Sequence, residues 1–117
     1  MIIGAHVLIY SKDAVADRAF LRDVIGLAHV DAGDGWLIFA LPPAEVGVHP
    51  GETNGDHALS FMTDDIEAEV ARLKARGVAC TPVENQGYGL TTMMALPGGG
   101  ALQLYQPLHP MAIGAKS

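Results

Sequence analysis

Basic residues are scarce in this chain. Seven Lys and Arg stand against thirteen Asp and Glu, a formal net charge of −6. Duplex binding is dominated by Lys and Arg contacts to phosphate, so this balance argues against a nucleic-acid partner. It is compatible with a cationic ligand, although surface acidity also serves solubility alone. Cysteine is nearly absent. Cys80 is the single one, which excludes a disulfide within the chain and a Cys-rich zinc site and fits a cytoplasmic setting. Long apolar runs are missing too. None reaches the roughly 20 residues that a membrane span needs. The N-terminus lacks the basic start and long apolar run of a signal peptide, so none is expected.

What is present is apolar. Half of the 117 residues are hydrophobic and 17% are charged, enough for one domain with its own core. Residues 2–11 alternate as a strand, with His6, Leu8 and Tyr10 on one face and Val7 and Ile9 on the other. Asp13 can cap a helix over 14–25, whose apolar stripe is Val15, Ala16, Ala19, Phe20 and Val24. Gly26 suits the left-handed position that ends it. Short strands follow at 28–31 and 36–41, and 45–49 can return as a hairpin partner. The polar, turn-rich run 49–56 reads as a linker. Next come a strand at 57–63, a helix capped by Asp64 with Ile66, Val70 and Leu73 buried, a stop at Gly77, and strands at 78–83, 90–96 and 101–106. The tail 108–117 carries no pattern and is expected to fray at its end.

The second half repeats the first. His6 and His57, Leu8 and Leu59, Tyr10 and Phe61, Asp13 and Asp64, Val15 and Ile66, Gly26 and Gly77 recur at a constant spacing of 51. The expected fold is α+β. Two tandem βαβββ modules, about 1–50 and 57–107, form a curved mixed sheet with the helices on its outer side. Residues 1–117 make one domain, and its concave face collects side chains from the first strand of each module.

The duplicated strand–helix starts (His6…Asp13…Gly26 and His57…Asp64…Gly77) and the closing run Pro97-Gly98-Gly99-Gly100-Ala101-Leu102-Gln103-Leu104-Tyr105-Gln106-Pro107 resemble the vicinal oxygen chelate superfamily. Its members include glyoxalase I, extradiol dioxygenases, fosfomycin-resistance enzymes and bleomycin-resistance proteins. The resemblance covers residues 1 to about 107. It implies one divalent metal in the concave cavity, held by the first and last strands of the paired modules. His6 and His57 match the first-strand ligands. Gln103 sits where the last strand of module two usually carries Glu, and the equivalent place in module one falls near Gly47, which cannot ligate. Imidazole ligands suit Zn, Fe, Ni or Mn. The resemblance also implies a homodimer, because small members often complete each cavity across a dimer interface.

Two functions stay open at this point. One is a metal-dependent enzyme of the glyoxalase/dioxygenase type, with His6, His57 and Gln103 holding a Lewis-acid metal and Glu45 or Tyr105 as candidate base. The other is a metal-free, bleomycin-resistance-type module that sequesters a small molecule between aromatic walls. The missing carboxylate ligand, the acidic charge and the inner-face aromatics point to that second function. Tyr10, Trp36, Phe61 and Tyr105 are the candidate pocket residues in either case.

Overall fold

The computed structural model of the chain describes residues 7–45, 47–48, 50, 52–55 and 57–111. Helix α1 (Ala14–Phe20) runs into a π-helical turn (Leu21–Ile25), then strands β1 (His29–Asp31) and β2 (Leu37–Phe39) follow. The second half holds β3 (Ser60–Met62), helix α2 (Ile66–Ala75), β4 (Glu84–Asn85), β5 (Gly89–Ala95) and β6 (Ala101–Pro107). The fold is α+β. Among the described residues the strands form two sheets, an antiparallel β1–β2 pair and a four-stranded sheet in the order β3-β6-β5-β4. In the larger sheet β3 runs parallel to β6 and the other pairs are antiparallel, so it is mixed as expected.

The second half completes its βαβββ plan. Its first strand pairs with its last, and α2 covers one face with Ile66, Val70 and Leu73, the stripe read from the sequence. These meet Leu102 and Leu104 of β6, Met94 of β5, and Val78 and Leu96. Between 79 and 85 the chain follows β5 with a change of register. Cys80 bridges Met94, whereas Glu84 pairs with Thr91, which leaves one extra residue on the 80–84 side. That is a β-bulge, and it divides the strand expected at 78–83. Thr81 Oγ1 accepts the Met93 N–H there (2.9 Å), and Thr92 Oγ1 donates to the Thr81 carbonyl (2.6 Å).

The first half departs from its expected form. His6 and the start of the first strand lie outside the described residues, and residues 7–11 form no strand. Ala44, Glu45, Gly47 and Val48 form none either. In the second half the last strand carries the first, as β6 carries β3, whereas among the described residues no ladder flanks residues 7–11.

The constant spacing of 51 also needs correction. Asp13 Oδ1 accepts the Ala16 N–H, and Asp65, not Asp64, does the same for Ala68 (3.1 Å each). One turn earlier, Ser11 Oγ accepts the Asp13 N–H and Thr63 Oγ1 accepts the Asp65 N–H. The helix starts therefore correspond at a spacing of 52. The helix ends correspond at 51, because Gly26 (φ 81°) and Gly77 (φ 80°) both take the left-handed stop. The π-helical turn absorbs the extra residue. In this register Val15 matches Glu67 rather than Ile66, which is why Val15 is 75% exposed while Ile66 is 1% exposed.

Candidate functional site

Among the described residues the face of the four-stranded sheet opposite α2 carries no helix and is open, and strand register decides who stands on it. Ser60 pairs with Gln103, Met62 with Tyr105, Thr91 with Tyr105 and Met93 with Gln103, so these side chains share a face. Phe61 pairs with Leu104 and belongs to the other face. His57 lies three residues before Ser60, out of phase with it, exposed and in no strand. The expected common face for His57, Phe61 and Gln103 is thus not formed in the described residues.

A connected chain of polar and aromatic groups runs across the open face. Ser60 Oγ donates to Gln103 Oε1 (2.9 Å) and Gln103 Nε2 donates to Tyr88 Oη (2.8 Å). The Tyr88 ring meets Tyr105 edge-on, with centroids 5.8 Å apart and planes at 70°. Tyr105 Oη lies 3.3 Å from His109 Nε2, and His109 Nδ1 donates to the Pro110 carbonyl (2.7 Å). Glu45 Oε1 stands 3.8 Å from the same Nε2. Gly89 makes this possible. A Cβ there would come within 2.7 Å of Tyr105 Cδ2 and 2.9 Å of the Gln106 carbonyl, so only glycine lets the Tyr105 ring lie across β5. Burial raises the Tyr105 phenol pKa above its ordinary value, and the charges of Glu45 and Tyr88 act in the same direction.

The structure therefore joins Gln103, Tyr105 and Glu45, three residues singled out from the sequence. It adds Tyr88, His109 and Ser60. Tyr88 looks from the sequence like part of a hairpin turn, and His109 lies in a tail without pattern. The Leu108 N–H donates to the Tyr88 carbonyl (2.9 Å), which prolongs the β5–β6 ladder and brings His109 back over the sheet.

The other candidates lie elsewhere. Tyr10 is 90% exposed, in a segment with no strand to orient it. Trp36 and Phe61 both line a cavity of about 410 Å³ between α1, β2 and the α2-side face of β3, together with Ile9, Leu21, Leu59 and Leu96. The Arg18 guanidinium sits 4.4 Å from the centroid of the Trp36 ring at its rim. Among the described residues no three His, Cys, Asp or Glu side chains gather where they could hold a metal. No helix of the described residues is long and apolar enough to cross a membrane.

No family model matches the chain. It is 29% identical to the Uncharacterized protein YaeR of Escherichia coli (strain K12), over 86% of this chain and 93% of that one. Among solved structures it resembles TnmS3, an antibiotic binding protein from Streptomyces sp. CB03234, with a TM-score of 0.67, 27% identity, and 92% and 98% of the two chains covered. It also resembles lactoylglutathione lyase from Agrobacterium tumefaciens, with a TM-score of 0.66, 18% identity, and 89% and 92% covered.

Proposed function

We propose that this chain, which has the vicinal oxygen chelate fold of the glyoxalase and bleomycin-resistance proteins, captures a small aromatic molecule on the open face of its four-stranded sheet. The observation that carries this reading is the edge-on pair Tyr88–Tyr105, with Gln103 and His109 at its two ends. Such a face offers a ring to stack against and a hydrogen-bonding group on either side. The likeness to an antibiotic binding protein supports the same reading. The capture is metal-free. Titration with a panel of aromatic compounds in the presence of chelator tests it, followed by NMR of the tyrosine and histidine side chains. Binding should move the Tyr88, Tyr105 and His109 signals, and Tyr105→Ala should weaken it about tenfold, the upper range for one aromatic contact. A panel that moves none of these signals would sink the reading.

The competing proposal is a divalent metal held by His6, His57 and Gln103. It is favoured by the place of Gln103 on the open face beside the parallel β3–β6 pair. Gln103 Oε1 accepts from Ser60, which leaves it one lone pair for a metal, and His57 is out of phase with Ser60. Metal analysis of protein purified without chelator separates the proposals, since a stoichiometric metal lost on His57→Ala would favour the glyoxalase-type enzyme.

A homodimer belongs to the same proposal. Val7, Leu8, Ile9, Ile38 and Leu41 are exposed apolar side chains beside a sheet of two strands, and a second copy would cover them. Sedimentation at micromolar concentration reads this directly, and a monomer would refute it.

A further inference from the structure

We propose that the open face selects an aromatic hydroxyl compound, whose O–H donates to the Tyr105 oxygen, because His109 is held as the acceptor of the Tyr105 proton. The inference rests on the open face being the ligand site. It follows from one backbone carbonyl. The Pro110 oxygen can only accept, so the His109 Nδ1 at 2.7 Å from it carries the hydrogen. A neutral imidazole has one N–H, so Nε2 presents its lone pair, and Tyr105 Oη 3.3 Å away donates to it. With its proton turned to His109, the Tyr105 oxygen faces a ligand as an acceptor.

Tyr88 has the opposite character. Its oxygen accepts the Gln103 amide N–H at 2.8 Å, which leaves its own O–H to donate. Two tyrosines whose rings lie 5.8 Å apart thus offer a ligand one acceptor and one donor. A flat ring carrying a hydroxyl matches the Tyr105 side. A ring whose oxygen is methylated does not, because it would set one acceptor against another.

The arrangement responds to acid. Among the described residues the groups that face the His109 ring are Tyr105 from β6, Glu45 from the segment after β2, and the Pro110 carbonyl. A second proton on the imidazole goes to Nε2, the nitrogen that Glu45 Oε1 approaches to 3.8 Å. Nε2 then no longer accepts from Tyr105, whose O–H is released toward the ligand. The preference for a hydroxyl fades as a result.

The test compares 2-naphthol with 2-methoxynaphthalene on the full chain, by NMR titration across neutral and acidic pH. These probes share their aromatic area and differ in one O–H. Naphthol should bind about fivefold more tightly at neutral pH, the worth of one neutral hydrogen bond. The gap should close on acidification. It should also close in Tyr105→Phe, and in His109→Ala the remaining preference should no longer change with pH. Equal affinity of the two probes in the wild-type chain at every pH overturns the selectivity and leaves the ligand site standing. A preference that ignores pH in the wild-type chain overturns the part given to His109. If neither probe moves the Tyr88, Tyr105 or His109 signals, the ligand site fails and this inference with it.

Discussion

The two halves of this chain share a capped helix with a glycine stop and differ in the sheets that their described residues form. In the second half the first strand is caught by the last, α2 lies across the sheet, and the buried apolar side chains form one cluster. In the first half a Ser-Asp helix start of the same kind precedes α1, but among the described residues the sheet consists of β1–β2 and the apolar residues 7–10 are exposed. Among the described residues Phe20 is the one member of the buried apolar core that the first half supplies. Local signals such as caps and left-handed glycines therefore specify a helix and its ends equally well in both halves. They do not specify a sheet, which depends on a strand far along the chain being long enough to pair.

The largest expected effect that sharpens this comparison is at Leu73, which is fully buried in α2. Leu73→Ala should destabilise the chain by about 2–5 kcal/mol through lost burial and the cavity left behind, read from urea unfolding. A cost near zero would mean that the second half does not hold the core.

The join between the halves comes next. Asp17 is buried on α1, although helical spacing assigns it to the polar face, and its Oδ1 accepts the Gly98 N–H at 2.8 Å. A Cβ on Gly98 would meet Ser11 Oγ at 2.5 Å, so the 97–100 loop reaches α1 only as glycine. Asp17→Ala should cost about 1–3 kcal/mol, the worth of a hydrogen bond to a charged group. If unfolding is unchanged, the halves are joined by other contacts, such as Arg72 and Arg76, whose guanidinium groups donate to the carbonyls of Val24 and Asp23.

A pH experiment probes where the first half touches the open face. Tyr105 should ionise above the ordinary tyrosine value of about 10. Its pKa is raised in the folded chain, so its contribution to stability is present below that ordinary value and is lost as pH rises through the folded one. Glu45→Gln should lower the Tyr105 midpoint in an absorbance titration without restoring the ordinary value, since burial is the larger cause. An unmoved midpoint would place Glu45 away from Tyr105.

The smallest expected effect is the most specific to the register. Val15→Ala should change stability by less than about 0.5 kcal/mol, as for an exposed site. A loss of about 1 kcal/mol or more would restore the equivalence of Val15 with Ile66 and the spacing of 51 at the helix starts.

The sequence by itself determined the two helices, the Asp13 cap, the stripe Ile66, Val70 and Leu73, the stops at Gly26 and Gly77, and the β5–β6 hairpin. Each rests on neighbours within a few residues, where side-chain type and backbone geometry act directly. It also singled out Gln103, Tyr105 and Glu45, which the open face joins. The tertiary structure alone decided that Ser60 rather than His57 or Phe61 faces Gln103, that a tail residue, His109, returns over Tyr105, and that a π-helical turn puts one more residue between cap and glycine stop in the first half than in the second. Those outcomes depend on the register between segments more than 40 residues apart in one case. In strands a slip of one residue exchanges the two faces, and nothing local fixes that register.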